Sequence, residues 1–194
     1  MKKIITLAAK LFIITAVATA CLSIVNGFTS PIVENRAKEQ YKMSMEEVFK
    51  DADDFKSLEE VDKDKFTKLT ESNDNIEDIV IVSKGGTEIG YVFKTIGKGG
   101  YGGPIKFVVG VDNDANIVGY KVLESSETKG FGSQVAEEPF ISSVVGKNMS
   151  GEMVRAENPS KENEIQAISG TTISVKAILN GLNGAVKALA ELRG

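Results

Sequence analysis

Ile105-Lys106-Phe107-Val108-Val109-Gly110-Val111-Asp112-Asn113-Asp114-Ala115-Asn116-Ile117-Val118-Gly119-Tyr120-Lys121-Val122-Leu123 is the stretch that decides the fold. Two runs of β-branched and aromatic residues, 105–111 and 117–123, flank five residues of turn chemistry. Branched and aromatic side chains suit a pleated, packed surface, while Asn and Asp close turns through their own side chains. The centre looks superficially like a calcium loop, but its sixth position is Ile117 where Gly is needed and its twelfth is Leu123 where Glu is needed. A hairpin turn is the reading that remains.

Working outward, two similar runs precede it, at 79–82 and 89–93, set off by Lys84-Gly85-Gly86 and by the glycine-rich stretch 97–103. Four short strands with hairpin-length connections predict an antiparallel sheet. A helix is expected over 133–145. Another is expected over 174–192, where Val175, Ile178, Leu179, Leu182, Val186 and Leu189 form one apolar stripe at helical spacing. Residues 51–78 and 148–164 are polar; the first reads as loop plus a short helix, the second as loop. Strands in the middle with helices at the ends predict an α+β fold, an antiparallel β-sheet packed with flanking helices.

The amino terminus has a different character. Residues 4–27 are apolar except for Lys10 and a few polar side chains, and these 24 residues exceed the roughly 20 that cross a bilayer as a helix. Lys2 and Lys3 precede them, which favours a cytoplasmic amino end and an exported remainder. A cleaved signal peptide fits the same residues, with Ala18-Thr19-Ala20 as a small-residue site and Cys21 placed as in a lipoprotein box. Both readings put the domain outside the cytoplasm. A helical lead-in starts near Pro31. The expected organisation is a short cytoplasmic end and transmembrane anchor over 1–28, a stalk over 29–75, and a folded domain over 76–194.

Composition excludes several chemistries. The chain has 194 residues, no His and one Cys, so the usual zinc sites, His-assisted nucleophiles, His-ligated haem and Cys-ligated iron–sulfur clusters are all excluded. All 27 Asp and Glu residues lie beyond residue 28, where they outnumber Lys and Arg; an acidic domain does not bind nucleic acid. If such a chain handles electrons, it needs an organic cofactor.

Three segments remain as candidates. Ser169-Gly170-Thr171-Thr172-Ile173-Ser174 leads into the last helix. A helix start offers unpaired N–H groups and partial positive charge to a phosphate, although an ordinary helix cap accounts for the same hydroxyls. Lys98-Gly99-Gly100-Tyr101-Gly102-Gly103-Pro104 allows backbone to approach a flat ligand beside an aromatic ring, or is a flexible hairpin tip. Glu127-Thr128-Lys129-Gly130-Phe131-Gly132 lies between a strand and a helix, where ligand-binding loops and plain connections both occur.

Together these segments resemble the covalent FMN-binding domain family, found in the G subunit of the Rnf ion-translocating electron-transport complex and the C subunit of the sodium-pumping NADH:quinone reductase. Ser169-Gly170-Thr171-Thr172 is similar to the family's Ser-Gly-Ala-Thr, the 127–132 loop to its Glu-Thr-Pro-Gly-Leu-Gly, and Tyr101-Gly102 to its Gly-Tyr-Gly. The resemblance implies FMN joined through its phosphate to Thr172 by a flavin transferase that uses FAD. It also implies flavin contacts from Ser169, Gly170, Thr171, Ser174, Tyr101, Gly102, Glu127, Thr128, Gly130 and Gly132. It further implies an electron carrier, with no catalytic residue of its own, held in membrane lipid among the other subunits of an Rnf-type complex, its domain extracytoplasmic. The chain's length favours the G subunit. Thr171 stands where the family has Ala and Lys129 where it has Pro. A free-standing extracytoplasmic flavin (lipo)protein and a non-redox binding module are the alternatives.

Overall fold

The computed structural model describes residues 2–194, and the chain falls into two compact units, Met1–Lys42 and Met43–Gly194. The first unit is drawn from helix α1, Lys2–Val48. Its apolar side chains, Ile4, Leu11, Phe12, Ile14, Leu22 and Phe28 among them, are exposed around the helix. By length and composition this is a candidate membrane span. The helix continues through Pro31.

The second unit is α+β. After the end of α1 come β1 (Asp54–Ser57), α2 (Leu58–Val61) and α3 (Lys63–Ser72). Strands β2 (Ile76–Lys84), β3 (Thr87–Gly97), β4 (Ile105–Asp112) and β5 (Ile117–Glu124) follow. A 3-10 turn (Gly132–Ala136), α4 (Glu138–Val144), β6 (Val154–Ala156), β7 (Glu164–Gln166) and α5 (Thr172–Arg193) complete it. The five strands β1 to β5 form one antiparallel sheet in chain order.

Three local expectations differ from what forms. The polar stretch 51–78 contains an edge strand, β1, whose ladder with β2 supplies the backbone bonds that its own sequence does not advertise. The helix expected over 133–145 is broken at Glu137, because Pro139 lacks an N–H and sits in the first turn of a new helix. The polar stretch 148–164 holds β6, which pairs in parallel with β7.

One sheet face packs on α5. Phe93, Ile105, Phe107, Val109 and Val111 meet Val175, Ile178, Leu182, Ala185 and Leu189, which recur at three- and four-residue spacing along the helix. The opposite face is also apolar where Val80, Val82, Val92 and Val108 lie buried. On that face the last turn of α1 and the residue after it lie against the strand glycines. Val48 lies against Gly119, where a Cβ would stand 2.2 Å from its carbonyl oxygen, and the Phe49 ring lies over Gly90 and Gly110. Only a strand residue without a side chain admits a helix end this close. Farther along the same face, Glu77 sits between Lys94 and Lys106, each 3.0 Å away, and Lys106 also faces Glu124 at 3.8 Å.

Candidate functional site

Sheet topology brings the three nominated segments together. In successive antiparallel strands, Gly97 at the end of β3 pairs with Ile105 at the start of β4, and Lys106 pairs with Glu124 at the end of β5. The 98–104 and 125–131 loops therefore leave the same end of the sheet. Helix α5 begins there too, since its Ala177 carbonyl lies against Gly97. The result is a cavity of about 480 Å³ lined by Tyr101, Glu127, Thr128, Phe131, Gly132, Gly170, Thr172, Ile173 and Ser174.

Glu127 ties the walls to one another. Its Oε1 accepts the Gly102 N–H at 3.1 Å, and its Oε2 accepts the Ser174 hydroxyl at 2.8 Å. One carboxylate thus spans the tyrosine loop, its own loop and the first turn of α5. The fit leaves no spare volume: a Cβ on Gly132 would stand 2.0 Å from Glu127 Oε2 and 2.6 Å from Ser174 Oγ. A second tie runs from the Thr171 hydroxyl, which donates to the Phe131 carbonyl at 3.1 Å. The 128–134 segment closes on itself through Phe131 N–H and Ser133 N–H to the Thr128 carbonyl, and through Gly130 N–H to Ser133 Oγ.

The hydroxyls at the start of α5 differ sharply in what they can do. Thr171 and Ser174 are buried, and both are engaged as donors. Ser169 is exposed and does not line the cavity. Thr172, the first residue of α5, is half-buried with its side chain on the cavity wall, and no described residue bonds its hydroxyl. Thr171 occupies the N-cap position yet makes no side-chain cap bond. The simple cap reading is therefore not what forms: the first N–H groups of α5 have no side-chain cap. Among the described residues no Lys or Arg lines the cavity, so the partial positive charge of that helix end is what the lining offers an anion.

Among the nominated residues, Tyr101, Glu127, Thr128, Gly132, Gly170, Thr172 and Ser174 line the cavity. Gly102, Gly130 and Thr171 stand behind the wall as hydrogen-bonding supports, and Ser169 lies outside it. The sequence does not single out two of the lining residues, Phe131 and Ile173. Both are exposed apolar side chains, 59% and 49% accessible, and Tyr101, which also lines the cavity, is 74% accessible. An aromatic residue between two glycines in an otherwise polar loop is the available signal for Phe131.

The chain is similar to known proteins across this region. A family described as an FMN-binding domain matches residues 100–187, a span that includes every lining residue of the cavity. The chain is 30% identical to the G subunit of the Na(+)-translocating ferredoxin:NAD(+) oxidoreductase complex of Acetobacterium woodii, over 98% of this chain and 94% of that one. It is also 30% identical to the G subunit of the proton-translocating ferredoxin:NAD(+) oxidoreductase complex of Clostridium ljungdahlii, over 69% of each. In fold it is similar to the crystal structure of Shewanella oneidensis NqrC, with a TM-score of 0.50 and 20% identity, covering 60% of this chain and 61% of that one.

Proposed function

Because the chain belongs to the G-subunit family of ion-translocating ferredoxin:NAD(+) oxidoreductase complexes, we propose that it is the flavin-bearing electron relay of such a complex, with FMN esterified to Thr172. The observation that carries this reading is the wall around Thr172. Of the hydroxyls from Ser169 to Ser174, its own is the one that both reaches the cavity and is left unengaged by the described residues, at an uncapped helix start.

The residues present fit the cofactor. The cavity volume of about 480 Å³ falls within the range of small-molecule sites, roughly 300–1,000 Å³. Tyr101 and Phe131 line it with aromatic side chains suited to a planar heterocycle. The N–H groups of the first turn of α5 suit a phosphate. With no cationic side chain among the lining residues, ionic grip on the phosphate is weak, and a covalent bond supplies the retention that Lys or Arg supplies elsewhere. FMN, once bound, accepts and returns electrons one at a time. The protein's part is to tether it, exclude water on the helix side and hold the rings of Tyr101 and Phe131 in place.

Attachment is a phosphoryl transfer. The Thr172 oxygen would bond the FMN phosphorus of FAD as the pyrophosphate P–O bond breaks, and AMP would leave with the hydroxyl proton; a flavin transferase would perform the step. Helix α1 anchors the chain in membrane lipid among the partner subunits, with Lys2, Lys3 and Lys10 toward the cytoplasm and the domain outside. Co-expression with a flavin transferase tests the assignment through intact mass and ultraviolet fluorescence of the denatured band. Wild type and Thr171→Ala are expected to gain one FMN mass and fluoresce, and Thr172→Ala to remain dark. A fluorescent Thr172→Ala band, or a dark wild type, overturns it.

A further inference from the structure

Glu127 contributes the one acidic side chain among the lining residues, and no Lys or Arg faces it there. Its two oxygens take a neutral N–H from Gly102 and a neutral O–H from Ser174, neither of which cancels a charge. The hydrogen bonds fix the carboxylate in place, so its field on the cavity does not average away by rotation. We infer that Glu127 is a redox-tuning residue: a fixed negative charge on the cofactor wall that disfavours the reduced form and sets a low potential. The inference rests on the reading that Thr172 carries FMN.

The sign follows from charge alone. Each electron delivered to a group in this cavity adds a negative charge beside an existing one, and the repulsion lowers the potential at which it is accepted. Across roughly 10 Å at an effective dielectric constant of about 20, Coulomb's law makes this an effect of about tenfold in the reduced-to-oxidised ratio per electron. The same carboxylate also holds three segments together, so a purely structural role must be separable from an electrostatic one. Two variants separate them. Glu127→Gln keeps the shape and both hydrogen-bonding positions, with the Ser174 hydroxyl reversing to accept, and removes the charge. Ser174→Ala keeps the charge and removes one of the donors that temper it.

The test is a spectroelectrochemical titration of the full-length flavinylated chain in detergent, with dithionite supplying the electrons. Glu127→Gln is expected to show a fluorescent denatured band and a reduced-to-oxidised ratio about tenfold higher at a fixed ambient potential, equivalent to about 59 mV for a one-electron couple. Ser174→Ala is expected to shift the opposite way. The inference is overturned if flavinylated Glu127→Gln titrates within twofold of wild type, or if both variants shift positive together, which reports a loosened cavity. If Glu127→Gln retains no flavin, Ser174→Ala decides: a negative shift there supports the inference, and no shift or a positive one overturns it. Failure of the Thr172 assignment is seen separately, as a dark wild-type band.

Discussion

Gly132→Ala probes the tightest point of the site. Gly132 does not adopt a positive φ, so an added methyl group brings no backbone strain. Its whole cost is steric. The new carbon would stand 2.0 Å from Glu127 Oε2, 2.6 Å from Ser174 Oγ and 2.8 Å from Glu127 Cβ. The carboxylate end can swing away, but the Cβ of Glu127 is fixed to its loop, so the loop must move as well. The swing breaks the 2.8 Å bond to Ser174 and the 3.1 Å bond to Gly102. A hydrogen bond to a charged group contributes about 1.5–3 kcal/mol, and forcing volume into a packed site costs about 1–3 kcal/mol. Because the exposed loop can relax and water can replace the lost partners, the expected loss is about 2–3 kcal/mol, well below the sum of those figures. Urea unfolding of the detergent-solubilised chain measures it. The decisive measurement repeats Gly132→Ala in a Glu127→Ala background, where the main obstacle is gone; there the cost should fall to about 1 kcal/mol or less, a coupling of at least about 1 kcal/mol. Equal costs in the two backgrounds would refute the claim that Gly132 exists to admit Glu127.

The remaining expectations concern the other face of the sheet. Phe49→Ala removes a ring that is 5% accessible and should lower stability by about 3 kcal/mol, read from the urea midpoint at constant slope. Burial pushes the Glu77 carboxyl up, but the ammonium groups of Lys106 and Lys94 outweigh that and hold it below its usual value. A depressed folded-state value adds stability that is present above the unfolded carboxylate range and is lost as pH falls through the folded value. The stability gap between wild type and Glu77→Gln should therefore be largest near pH 7, at about 1–2 kcal/mol, and shrink in strongly acidic buffer; a gap that widens on acidification would contradict this sign.

The four long strands can be read from their sequence because each is a run of branched and aromatic residues bounded by glycine or Asn/Asp turns. Strand β1 cannot, since Asp54-Phe55-Lys56-Ser57 has one apolar residue, and its extended form comes from the ladder with β2. Strands β6 and β7 have three residues each, too few to show any period. The candidate site is legible as three separate segments, and their convergence comes from hairpin connectivity. What sequence does not distinguish is Thr171 from Thr172, two adjacent hydroxyls of one residue type. Helix phase separates them: Thr171 turns inward to the Phe131 carbonyl and Thr172 turns to the cavity. Phe131 and Ile173 escape a reading of the sequence because an exposed apolar side chain gains meaning only once its neighbours are known.

The seating of Val48 and Phe49 bears on how a soluble version of this protein should be cut. A fragment started at strand β1 would discard both residues and uncover the strip of sheet at Gly90, Gly110 and Gly119 against which they lie. Such a fragment should self-associate through that strip. One started upstream of Met43 keeps its own lid and should stay monodisperse, so the residues closing the sheet belong to what looks in sequence like the tail of a leader helix.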